Sequence, residues 1–184
     1  YGLYAKSSMG LLIDHNRIGQ PGVLTGGNFS GAYFAGVTAA QFKFNDVHGA
    51  GSGLTNAFLL ELSGSTVAVR NNVFLSSFSV TGASATFFAN AASGFTADYN
   101  DYFSSNSFNT GVWGVTSAQM TAGWNALTGQ DANSIALHPL WHDPSAGAED
   151  YHPRSMRGRY SVAAQGFVGD AANSPVIDAA DGAE

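Results

Sequence analysis

Cysteine is absent from this chain of 184 residues. Its absence excludes disulfides, thiolate metal sites and a cysteine nucleophile, and leaves the cellular compartment open. Charge is scarce as well. Lys and Arg number 7 and Asp and Glu 13, together 11% of the residues, against roughly 25% in an average soluble domain. With a net charge of -6 and so few basic groups, the chain lacks the clustered cations on which nucleic-acid binding draws, and no nucleic-acid partner is expected. No run approaches the roughly 18 consecutive apolar residues of a membrane span, so none is expected. Only 5 prolines stand against 23 glycines, which points to many tight turns in an ordered chain rather than Pro-rich disorder. The residues after Tyr1 carry neither a basic n-region nor an apolar signal core and already read as strand, as a trimmed piece of a longer protein would.

What is there is a repeat. Four segments, GLYAKSSMGLLIDHNRI, GAYFAGVTAAQFKFNDV, FLLELSGSTVAVRNNVF and TFFANAASGFTADYNDY, align on Asn16, Asn45, Asn72 and Asn100, at steps of 29, 27 and 28 residues. Five residues before each Asn stand Leu11, Ala40, Val67 and Phe95, and three before stand Ile13, Phe42, Val69 and Ala97. The alternating columns, Leu12, Gln41, Ala68, Thr96 and then Asp14, Lys43, Arg70, Asp98, are mixed or charged. That is the period-two pattern of a strand with one buried face. Tyr4, Tyr33, Leu60 and Phe88, twelve before each Asn, are expected to form a second inward column, and Ile18, Val47, Phe74 and Tyr102 a third. A unit of about 28 residues with short strands and no helix period cannot bury its own apolar columns, so it must stack on copies of itself as a parallel β-helix. Equivalent Asn side chains, roughly 4.8 Å apart on stacked rungs, then form an amide ladder, and Asn tolerates the left-handed backbone of a sharp corner. The Asn column is therefore read as architecture. The Gly-rich spacers GQPGVLTGGNFS and HGAGSGLTN read as turns.

After Tyr102 the repeat fades. VTSAQMTAGWNALTG predicts a short helix over 116–128, capped by Thr116 or Ser117, with Met120, Trp124 and Leu127 as its apolar stripe and Gly129 at its end. The expected architecture is all-β: about four regular rungs in residues 1–102, continued and capped by an irregular section in 103–184, as one structural domain. The segments DYNDYF, GQDANSI, HPLW, DYH and NSPVIDAADG follow in that order. With the Asn rungs, they resemble the C-terminal rungs of bacterial right-handed parallel β-helix repeat proteins of the pectin-lyase-like superfamily. The resemblance implies right-handed winding, an extracellular or cell-surface location with the periplasm as the alternative, and calcium as the one cofactor to consider. Because that superfamily holds pectate lyases, polygalacturonases, other polysaccharide lyases and surface adhesins, it implies a fold more than an activity.

Stacked in order, Asp14, Lys43, Arg70 and Asp98 line one outer face. Arg70 or Lys43 beside Asp98 or Asp14 is the candidate set for β-elimination, which needs a base to remove the proton α to a uronate carboxylate. The order acid, base, base, acid equally makes compensated cross-strand pairs, and the carboxylate cluster of a calcium-dependent lyase is missing. Asp46 and Asp101 share a column with Val73 between them, a separation that suits an inverting glycosidase but lacks an accompanying Asp-Asp pair. His138, His142 and Asp143, with Asp150 and His152 nearby, are the metal candidates. Their setting in a turn around Pro139 favours solvated loop histidines, and no metal is expected. Trp113, Trp124 and Trp141, with Tyr99, Phe103 and Tyr151, can build a sugar-stacking platform or pack the helix and turn against the solenoid. Asn28-Phe29-Ser30 fits a glycosylation sequon. Two functions follow. One is a non-catalytic module with a structural, adhesive or carbohydrate-contacting role within a larger protein or assembly. The other is a polysaccharide lyase or glycoside hydrolase acting on the outer face. The expected partner is a polysaccharide or a protein chain stacking on the N-terminal rung.

Overall fold

The computed structural model describes residues 1–19, 24–82, 84–105, 109–145 and 150–182. Each repeat winds as one turn of three strands. The first turn holds β1 (Leu3–Lys6), β2 (Leu12–Asp14) and β3 (Arg17–Ile18), followed by the short β4 (Leu24–Thr25). The second holds β5 (Asn28–Ala35), β6 (Ala40–Lys43) and β7 (Asp46–Leu54). The third holds β8 (Asn56–Ser63), β9 (Thr66–Arg70) and β10 (Val73–Val80), and the fourth β11 (Ser84–Ala89), β12 (Gly94–Asp98) and β13 (Asp101–Ser104). Equivalent strands stack in parallel into three sheets, so the chain is a parallel β-solenoid of four turns. Its interior is a column of apolar side chains, among them Phe42, Phe74 and Tyr102 one above another, with the last two rings 5.3 Å apart and nearly coplanar in tilt at 4°.

The corner between the second and third sheets is held by the Asn column. Asn45 Oδ1 accepts the Asn16 backbone N–H and Nδ2, Asn72 Oδ1 accepts both from Asn45, and Asn100 Oδ1 both from Asn72, each at 3.0 Å. The left-handed backbone belongs to the residue before each Asn. His15, Phe44, Asn71 and Tyr99 have φ of 54°, 54°, 56° and 55°, which corrects the expectation that Asn itself takes that conformation. A non-glycine residue there costs about 1–2 kcal/mol, and the hydrogen bonds of the adjacent amide offset it.

A second correction concerns the first sheet. Its inward side chains include Ala32, Phe34, Leu60, Leu62, Phe87 and Ala89, whereas half-exposed Tyr4 stands in register with Tyr33, Glu61 and then Phe88. The third turn is one residue shorter between this sheet and its Asn. Counting back twelve residues therefore lands on inward Leu60 instead of outward Glu61.

Beyond the fourth turn, β14 (Asn109–Trp113) extends the first sheet and β15 (Thr116–Ala118) pairs with it antiparallel. Helix α1 spans Met120–Thr128 and ends on left-handed Gly129, φ 68°. Thr116 and Ser117 are strand residues, so the helix starts later than its sequence window; Gln119 precedes it without a side-chain cap. The Met120 side chain lies outside the described residues. Trp124 is fully buried, its ring 5.7 Å from Phe95 and parallel to it. A Cβ at Gly111 would sit 2.4 Å from that indole, so only glycine lets α1 close over the end of the solenoid.

The chain then makes part of a fifth turn. Ile135 bridges Asp101, and Ser134 Oγ accepts the Asn100 N–H at 2.8 Å, taking the place of a fifth Asn. Buried Asp131 accepts from Asn100 Nδ2, Tyr102 Oη, Trp124 Nε1 and Ser134 Oγ. Two antiparallel hairpins follow, β16 (Trp141–Asp143) with β17 (Asp150–Pro153), and β18 (Arg159–Ser161) with β19 (Gly166–Val168). Trp141 stacks on Tyr151 at 4.6 Å, and the pair packs on Leu75, Val73 and Phe103, covering the outer face of the third sheet.

Candidate functional site

The charged column forms on the outside of the second sheet, where Asp14 pairs in register with Lys43, Lys43 with Arg70 and Arg70 with Asp98. Its C-terminal half is already engaged by the chain. Arg70 Nη1 lies 3.8 Å from Asp181, and Asp98 accepts the Asn133 N–H at 2.7 Å and its Nδ2 at 2.9 Å. Toward the other end Asp14 lies 3.5 Å from His15 Nδ1, and the Lys43 ammonium sits 6.0 Å from the Phe44 ring. These contacts give each group of the column a partner within the chain.

Asp46 and Asp101 stand two turns apart with Val73 between them, as the column requires. Both carboxyls are shifted in the direction of a general acid. Burial pushes Asp46 up to about 6 against the pull of Arg17 and His152. Burial pushes Asp101 up to about 7, opposed by the Leu137 N–H that it accepts at 3.0 Å. Asp101 is 3% exposed, however, under the segment in which Ile135 makes an isolated bridge to it. Among the described residues its Oδ2 and the Asn71 Nδ2 have no hydrogen-bond partner, and both residues line a cavity of about 40 Å³ shared with Val176, Ala179 and Ala180. That space admits water-sized molecules and no saccharide.

The metal candidates do not converge. His138 Nδ1 accepts the Leu140 N–H and its ring lies on Phe103, 4.9 Å away; Asp143 accepts the Ser145 N–H. His142 Nε2 meets Arg159 Nη2 at 2.8 Å, and Arg159 also reaches Asp170 at 3.3 Å and Asp150 at 3.8 Å, which ties the two hairpins together. Among the described residues no three metal-ligating side chains gather. The tryptophan platform does not assemble either. Trp124 and Trp141 are buried, as is Tyr151, which removes them as stacking surfaces; Trp113 is 38% exposed and meets the Phe95 ring edge-on.

A different set of aromatics is open to solvent, on the outside of the first sheet. Tyr1, Tyr4 and Tyr33 form a triangle with centroids 5.2, 5.3 and 5.4 Å apart and ring planes inclined by 21° to 34°. Tyr1 is 74% and Tyr4 51% exposed. Next to them lies a groove of about 280 Å³ lined by Tyr1, Asn28, Phe29, Ser30, Asn56, Phe58 and Glu61. The parallel register sets this arrangement: Asn28 faces Asn56, Ser30 faces Phe58 and Tyr33 faces Glu61. Ser30 Oγ donates to Glu61 Oε2, Asn56 Nδ2 donates to Asn28 Oδ1 at 3.1 Å, and Phe58 packs on Phe88 at 4.7 Å. Aromatic faces, a carboxylate and amides thus border one concave surface. Its sequence signal is the Tyr4, Tyr33, Leu60, Phe88 column, which a constant spacing places in the interior because the short third turn puts Leu60 where Glu61 belongs. Comparison with family models, curated proteins and solved structures finds no match for this chain.

Proposed function

We propose that this chain is a non-catalytic β-solenoid module that contacts carbohydrate through the outer groove of its first sheet, in a structural or adhesive role within a larger protein or assembly. The observation that carries the reading is the groove itself. Exposed Tyr faces offer a surface for the apolar C–H face of a pyranose, and Glu61, Ser30, Asn28 and Asn56 supply donors and acceptors for its hydroxyls. Right-handed winding, membership of the pectin-lyase-like superfamily and an extracellular setting belong to the same proposal and rest on the sequence resemblance. So does a protein chain stacking on the N-terminal rung as the alternative partner.

The lyase or glycosidase reading is weaker because Arg70 and Asp98 are engaged by Asp181 and Asn133, and Asp101 is buried. Binding of a panel of oligosaccharides, with and without Tyr4→Ala, tests the proposal. Saturable binding lost in the variant supports it. Release of unsaturated uronates or reducing ends by the intact chain, abolished by Arg70→Ala with the fold retained, overturns it in favour of catalysis.

A further inference from the structure

The groove has a charge preference, which rests on the carbohydrate reading and sharpens it. Glu61 sits half-buried among rings, and among the described residues its only hydrogen-bond donor is Ser30, on Oε2. Among the described residues no Lys, Arg or His side chain lines the groove. An uncompensated carboxylate beside aromatic faces is a poor place for an anion, because like charge and the negative ring faces both oppose it. It is a good place for an ammonium, which gains a charge-assisted hydrogen bond and cation–π attraction together.

Neutral hydroxyls find partners at Asn28, Asn56 and Ser30, but they leave the carboxylate uncompensated. Uronates bring a second negative charge onto a molecule that already carries -6. We infer that the groove lined by Tyr1 and Glu61, with the Tyr4 and Tyr33 rings stacked beside Tyr1, binds an amino sugar, with a pyranose face on the tyrosines and its ammonium on the Glu61 carboxylate.

The test is calorimetric titration of the full chain, its amino terminus acetylated to remove the terminal charge, with three probes: glucosamine oligomers, N-acetylglucosamine oligomers and oligogalacturonate. The glucosamine oligomer is expected to bind about tenfold more tightly than the acetylated one, with the uronate weakest. Glu61→Gln should bring the affinities for the free and acetylated amines together, while Tyr4→Ala should weaken both. Asp178→Asn, which removes one exposed charge elsewhere, should change neither.

Equal affinity for free and acetylated amines overturns the inference and leaves the carbohydrate reading standing. Failure of all three probes overturns both. An amine preference that survives Glu61→Gln also overturns the inference, because it would come from the net charge of the molecule.

Discussion

Asp101 and Asp46 are carboxyls that folding takes largely out of water, and their titration gives the fold a pH dependence with a definite sign. Burial raises them to about 7 and about 6 from 3.8. The native chain therefore holds protons that the unfolded chain releases once the pH exceeds 3.8. The stability these protons contribute is fully present below that value and is lost as pH rises through the folded values. Thermal unfolding is expected to show Tm falling between about pH 4 and about pH 7. Asp101→Asn should remove most of that slope and raise stability at the alkaline end by on the order of 2–4 kcal/mol. A Tm that rises with pH over the same range would mean that both carboxyls are ionised and paired in the fold. None of this was legible in the sequence. Burial of Asp101 comes from Leu137 and Ile135, more than thirty positions away, and column arithmetic carries no information about what a later segment covers.

Among the elements, the amide column and the hairpin on the third sheet differ in how they are encoded. The column is periodic, so spacing alone located Asn16, Asn45, Asn72 and Asn100. Asn72 is buried and accepts from Asn45 while donating to Phe42, Arg70 and Asn100. Replacing it by Ala leaves several buried backbone and amide groups unpaired and should cost about 3 kcal/mol, whereas Asn16→Ala, at the exposed first turn, should cost less than about 1 kcal/mol. Denaturant unfolding of the two variants measures the difference, and equal costs would refute a ladder that works through buried pairing. The hairpin has no period. Trp141 and Tyr151 lie ten positions apart and meet Leu75 across the fold. Trp141→Ala should cost about 3–5 kcal/mol. Hydrogen exchange in that variant should speed up over residues 141–153 while the solenoid strands stay protected; protection unchanged over the hairpin would mean that the tryptophan does not anchor it. The helix was visible from its apolar spacing and Gly129, but Thr116 and Ser117 went to β15 because β14 offered an edge to pair with.

At the scale of the whole molecule the two ends are unlike. The C-terminal end is closed by α1, Trp124 and the partial fifth turn, while β1, β2 and β3 each end a sheet and leave one edge without a strand among the described residues. Exposed Met9 and Leu12 accompany that edge. Parallel edges with apolar neighbours recruit further strands, so these 184 residues expressed by themselves are expected to associate as their concentration rises, and Leu12→Lys should suppress this in light scattering. A strictly monomeric unmodified chain would show that the edge is protected by other means. The scarcity of charge has its cause at this scale too. An outward position recurs on every turn, and a column of like charges would repel itself, whereas Ser, Thr and Asn stack.

The Asn column also has a direction. Asn45, Asn72 and Asn100 donate one N–H back to Ile13, Phe42 and Val69 of the turn before, but the side-chain-to-side-chain bonds all run from Asn16 toward Asn100, a single direction like that of the peptide bonds along a helix. Asp131 receives the last N–H. Burial pushes the Asp131 carboxyl up while the hydrogen bonds it accepts, that from Asn100 among them, pull it down, so the end of the ladder favours the ionised form of the group that closes it.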